Sequence, residues 1–154
     1  MHWWFPGKGL SIGDDQLGNC GPQAYARFGL PYHQRLLDHF GGGWYHLHSK
    51  DLCLVPEIAQ LKGLDCLEIS DDPNTPKRGF SSIDDIRQHL PETPLRICCG
   101  PDELLNGLRD GTLPGNVVYY VSGKDYSDID CWSIDDANEI MDMVRAYKTG
   151  RRES

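Results

Sequence analysis

Short apolar runs that end in polar residues alternate along this chain with segments whose apolar residues recur at helical spacing. Gly9 to Asp15 predicts a first strand, and Pro22 to Phe40 a helix on which Tyr25, Phe28, Leu36, Leu37 and Phe40 share a face. Pro31 has no N–H to give a helix interior and predicts a kink there. The triple glycine Gly41, Gly42, Gly43 ends the helix, and Trp44 to His48 makes a second strand. Ser49 and Asp51 stand where they would cap the next helix, Leu52 to Leu61. Leu64 to Ser70 is the third strand; Ser81 or Ser82 caps a helix through Ile83, Ile86 and Leu90; Leu95 to Cys99 is the fourth strand. Pro101 opens a further helix at its first turn. Asn116 to Val121 is the fifth strand, and its β-branched and aromatic content suits burial on both faces of a parallel sheet. A last helix starts near Ser133 and carries Ile140, Met143, Val144 and Tyr147.

Five strands with helices between them imply parallel pairing through right-handed crossovers. An open doubly wound sheet and part of a (β/α)8-barrel both satisfy that pattern. A whole barrel takes about 250 residues, so 154 residues hold little more than half of one.

The charge balance narrows the partners. With a net charge of −8 and basic residues scattered except for Lys148, Arg151 and Arg152, the chain offers no footprint for nucleic acid. The opening Met1-His-Trp-Trp-Phe-Pro6 lacks the charged start, apolar core and cleavage site of a secretory signal, so a cytoplasmic location without membrane attachment is expected. Six cysteines without CxxC spacing, in a chain of this size, read as reduced thiols.

In both architectures, chemistry gathers where strands end. Those ends are Asp14-Asp15, His46-Leu47-His48, Ser70-Asp71-Asp72, Cys98-Cys99 and Ser122-Gly123. All carry groups able to titrate, ligate or hydrogen-bond, whereas the strand beginnings are mostly glycine, proline and apolar residues. His46 and His48, two apart on one strand, point to the same side and can share one metal ion. Two imidazoles with a third ligand of thiolate or carboxylate type suit zinc with an open position, and Cys131 is the thiol most easily brought over the site. The pairs Asp14-Asp15 and Asp71-Asp72 can bind NH-bearing groups, orient the histidines or titrate together, with at least one of each pair expected only to cap a helix. Asp15 and Asp72 are the candidate catalytic acids; Asp14, Asp71 and Ser122 are candidate substrate contacts. Gln16-Leu-Gly-Asn-Cys20-Gly21 has the look of a papain-like nucleophile segment, but that chemistry needs a later strand histidine, and no His follows His89.

The succession Gly13-Asp14-Asp15, Gly21-Pro-Gln-Ala-Tyr-Ala-Arg-Phe-Gly-Leu-Pro-Tyr32 and Gly42-Gly-Trp-Tyr-His-Leu-His48 resembles the uroporphyrinogen decarboxylase-like superfamily. Leu64 to Asp72, Pro94 to Gly100 and Ser133 to Lys148 look like its last three βα units, so the resemblance spans nearly the whole chain. It implies a TIM (β/α)8-barrel of which residues 1–154 are the C-terminal half, about five βα units, with the N-terminal units absent. It further implies a zinc-dependent methyltransferase acting on a small molecule with a thiol acceptor or a corrinoid-carrying partner protein. The alternative implied is a lyase of tetrapyrrole biosynthesis. Carried over, the zinc motif falls on His46 and His48 with Cys131 as third ligand; where the family has Cys and then Gly, this chain has His48 and Ser49. A further alternative is an inactive truncated half-barrel, whose exposed edge strands would act only through association with itself or with a partner.

Overall fold

A computed structural model of the chain describes residues 9–13, 15–72, 75, 77–121 and 133–147. Asp14, Ser122 and Cys131, three of the candidate site residues, lie outside them. Five strands, β1 (Leu10–Gly13), β2 (Gly43–His48), β3 (Leu64–Ser70), β4 (Leu95–Cys99) and β5 (Val117–Val121), form one sheet. The helices between them are α1 (Gly21–Ala24), α2 (Leu30–Phe40), α3 (Val55–Ile58), α4 (Ile83–His89) and α5 (Pro101–Asp110), with α6 (Ile134–Ala146) after β5. All strand pairs are parallel, and the order across the sheet is the order along the chain. The protein is thus an α/β fold without the reversal of strand order that marks a doubly wound sheet. No described helix is long and apolar enough to cross a membrane.

Alternation along the strands sorts side chains onto two unlike faces. Ile12, Tyr45, Leu47, Leu67, Ile69, Leu95 and Ile97 join the main apolar core, packed with Leu37, Ile58 and Ile86 of the helical layer. The intervening residues His46, His48, Glu68, Arg96, Cys98 and Tyr120 belong to the opposite face. That second face is polar, and several of its residues are nonetheless buried: Glu68 is 3% and Arg96 7% exposed.

Several local expectations need correction. The long first helix is not uniform: a 3-10 turn (Leu17–Cys20), α1, a π-helical stretch (Tyr25–Gly29) and α2 follow one another. Pro31, at the start of α2, cannot donate to the carbonyl four residues back, and the wider π turn absorbs that gap. An extra residue in one turn rotates the helix face that follows. Tyr25 and Leu37 face inward as expected and His33 joins them, while Phe28, Leu36 and Phe40, also expected inside, are exposed, Phe28 to 58%. His33 takes the vacated inner position beside the Tyr25 hydroxyl, 3.2 Å away.

The second crossover is a 3-10 segment (Ser49–Leu54) leading into one turn of α3 rather than a long helix. Ser49 does not cap it: its hydroxyl donates to Thr75 Oγ1 at 3.3 Å and accepts from the Asp72 amide at 3.4 Å, tying β2 to the loop after β3. Ser81 and Ser82 do not cap α4 either; both hydroxyls donate to the Arg78 carbonyl, at 3.0 and 2.8 Å. β5 is an edge strand rather than one buried on both faces, with Val118 57% exposed.

Two features hold the strand beginnings. Arg87 of α4 donates to the carbonyls of Leu90 and Asn116 at 3.0 and 2.9 Å and also to Thr93, fastening the turns that lead into β4 and β5. Gly43 lies against β1 so closely that a Cβ there would sit 2.3 Å from the Leu10 carbonyl oxygen. Gly43→Ala is therefore expected to push β1 off β2 and to cost about 2–3 kcal/mol, a steric penalty at the upper end of ordinary substitutions. Urea unfolding monitored by circular dichroism measures it; a midpoint within error of the parent would refute the close approach.

Candidate metal centre

β2 sets the geometry. Because His46 and His48 share its polar face, their rings stand 5.0 Å apart and nearly perpendicular, with Trp44 of the same face edge-on to His46 at 6.3 Å. In the parallel register, His46 lies opposite Glu68 of β3, and Glu68 opposite Arg96 of β4. His46 Nδ1 is 3.0 Å from Glu68 Oε2, while Glu68 Oε1 pairs with the Arg96 guanidinium. Arg96 in turn lies over the ring of Tyr120 on β5, 4.5 Å from its centroid.

A carboxylate paired with Arg96 has only acceptor atoms, so His46 Nδ1 carries the hydrogen of this bond. Burial holds the His46 imidazole below its ordinary pKa; Asp15 and Asp72 oppose that effect and Arg96 reinforces it. The neutral ring with hydrogen on Nδ1 has its lone pair on Nε2, the form that binds metal.

His48 repeats the arrangement further along the strand. Its Nδ1 lies 2.7 Å from Asp72 Oδ1, and its Nε2 lies 3.2 Å from Asp15 Oδ1, just past the end of β1. Ligand atoms of Asp15, His46 and His48 all lie within 4.8 Å of one another. Two ligands about 2.0–2.1 Å from one tetrahedral ion are about 3.3 Å apart, close to the His48–Asp15 spacing. Asp72 Oδ2 is buried and has no hydrogen-bond partner among the described residues, an orphaned acceptor beside the site. The donor set, the His46 tautomer and the orphaned oxygen fit a divalent cation.

Comparison with family models, with curated proteins and with solved structures returns no match.

The sequence-derived site residues thus divide. Asp15, His46, His48 and Asp72 come together at the ends of β1, β2 and β3. Asp71, next in chain to Asp72, is turned elsewhere: it accepts from the Gly79 amide at 2.7 Å and pairs with Arg78, which also reaches Glu103 of α5 at 2.8 Å. Asp71 therefore ties down the loop between β3 and α4. Asp15, expected as a catalytic acid, stands where the third ligand was sought in Cys131. Cys20 is exposed with its thiol toward the Gln16 carbonyl, and Cys99, buried in the helical-side core, has its thiol pushed up to about 12 by that burial.

Glu68, Arg96 and Tyr120 were not anticipated. Their signal was present in the sequence: one charged residue between apolar neighbours in each of two adjacent strands, Leu67-Glu68-Ile69 and Leu95-Arg96-Ile97, of opposite sign.

Proposed function

We propose that this chain is the C-terminal, five-unit part of a (β/α)8-barrel of the uroporphyrinogen decarboxylase-like superfamily, and that it works as a zinc-dependent methyltransferase on a small molecule, with a thiol or a corrinoid-carrying protein as methyl partner. The observation that carries this reading is the pair of β2 imidazoles, each with Nδ1 against a carboxylate and with Asp15 beside them. The barrel is supported by a strand order that never reverses and by the distribution of exposed apolar side chains. Phe28, Tyr32, Leu36 and Phe40 lie in the first helical segment and Val118, Ile134, Met141 and Val144 in β5 and α6, the two flanks against which further βα units of a barrel would pack.

His46, His48 and Asp15 would hold the ion. Zinc there would acidify a thiol in its open position, and with one anionic protein ligand it keeps more positive charge than in a site with several thiolates. The chain's own groups do the rest. Glu68 and Asp72 hold the Nδ1 hydrogens and thereby aim both Nε2 lone pairs. Asp72 Oδ2 is placed to take a hydrogen bond from a bound group. The same oxygen and Asp15 favour the alternative, a metal-free lyase in which carboxylates grip the N–H groups of a tetrapyrrole.

Metal analysis separates the two. Protein purified without chelator is expected to carry about one zinc per chain, lost in the His46→Ala, His48→Ala double variant. Absence of metal from the parent, even after incubation with zinc, would overturn the methyltransferase assignment in favour of the lyase.

A further inference from the structure

We infer that Glu68 is a positioning residue for the candidate metal centre, presenting its carboxylate oxygen to His46 Nδ1, and that Arg96, backed by the Tyr120 ring, fixes where that oxygen lies. The inference rests on the metal reading above and extends it to three residues on strands that supply no ligand.

The geometry begins with the register. His46, Glu68 and Arg96 occupy one row across β2, β3 and β4, so their side chains leave the same face at the same height. Glu68 divides its two oxygens: Oε2 toward His46 at 3.0 Å, Oε1 toward Arg96. Glu68 is nearly sealed from solvent, and an acid at such a position persists only with strong partners. Arg96 is also buried and lies over the Tyr120 ring, which limits the guanidinium's freedom to swing away. A free imidazole ring can turn about its side-chain bonds and swap its nitrogens. A ring whose Nδ1–H is held by a fixed acceptor cannot, and its Nε2 stays aimed at one point.

Why this row and not the neighbouring one can be argued from exposure. The acceptor for His48, Asp72, is about a quarter exposed and at a strand end, where a water can replace it; the acceptor for His46, Glu68, lies within the sheet with its side chain 4% exposed. The inner imidazole thus depends on its carboxylate more than the outer one does.

Removing Glu68 alone would strand the Arg96 charge, so the test uses paired substitutions. Glu68→Leu with Arg96→Met removes the acceptor and the charge together. Glu68→Gln with Arg96→Met keeps an oxygen that can accept from Nδ1. Zinc affinity is read by competition with a chromophoric chelator, and thermal midpoints of the metal-free proteins are read alongside. The Leu/Met protein is expected to bind zinc about 10–100-fold more weakly than the parent at a similar metal-free midpoint, with the Gln/Met protein recovering most of the loss. Equal affinity in the Leu/Met protein, or no recovery with Gln, overturns the positioning role. A parent that binds no zinc removes the metal centre itself, a different failure from either.

Discussion

Arg96→Met by itself is expected to cost about 3–5 kcal/mol of folding stability, the largest single effect in this chain. Arg96 is the guanidinium that pairs with Glu68, and both side chains are under 10% exposed. Taking it away leaves a carboxylate in the sheet whose remaining partner among the described residues is the His46 ring. An uncompensated charge in such a place costs more than the net worth of the pair, because desolvation is no longer offset. The site then has two ways out: it takes up a proton, on the acid or on the His46 ring whose charge Arg96 no longer opposes, or the strands separate enough to admit water. The first predicts a stability that recovers as pH falls, since the protonated form is the one the altered site tolerates. Removing both charges is expected to restore most of the loss, because apolar residues of similar volume fill the space without a desolvation cost. Chemical denaturation of the single and double variants measures the difference; a single variant within about 1 kcal/mol of the parent would show that water reaches Glu68.

The second large effect is on binding rather than folding. Asp15→Asn is expected to lower zinc affinity about 100-fold or more while leaving the unfolding midpoint of the metal-free protein unchanged. Asp15 is 62% exposed, and its contact with His48 Nε2 is at the surface, where an ion pair contributes little to stability. As the anionic member of the proposed ligand set, it would supply much of the attraction for a divalent cation, and a neutral amide oxygen is a poorer donor to zinc. Isothermal titration with zinc chloride against parent and variant gives the comparison. Unchanged affinity would move the third ligand elsewhere and leave Asp15 a surface neighbour of His48.

These effects trace back to what the sequence did and did not disclose. β3 and β4 were legible to the residue, since a run of alternating or apolar residues between turn signals has few other conformations to take. The gathering of Asp15, His46, His48 and Asp72 was legible because parallel strands bring their ends together whatever lies between. Asp72 was preferred to Asp71 for the chemistry; what the sequence did not disclose is that Asp71 is taken up by the loop that returns with Arg78 and Gly79, because adjacent residues at a strand end turn to opposite sides. The inner face of the first helix was read correctly at Tyr25 and Leu37 but not at Phe28, Leu36 and Phe40, because a 3.6-residue period does not register the π turn over Tyr25–Gly29. Glu68 and Arg96 escaped because attention to strand ends passes over strand middles, where a charge has meaning only once the partner strand's register is known.

β1 has a further property that follows from its size and position. Among the described residues it is a four-residue strand at the sheet edge, paired with β2 alone. Such a strand is the piece of a sheet that breathes most readily, detaching and rejoining while the rest stays folded. Asp15 travels with it, whereas both imidazoles remain on the interior strand. Assembly of the three donors therefore coincides with the docked state of β1, and a cation gripping all three would act as a latch across the first two strands. Slow exchange of the Leu10 to Gly13 amides with solvent would then accompany loading, and release of the ion would begin with the edge strand letting go.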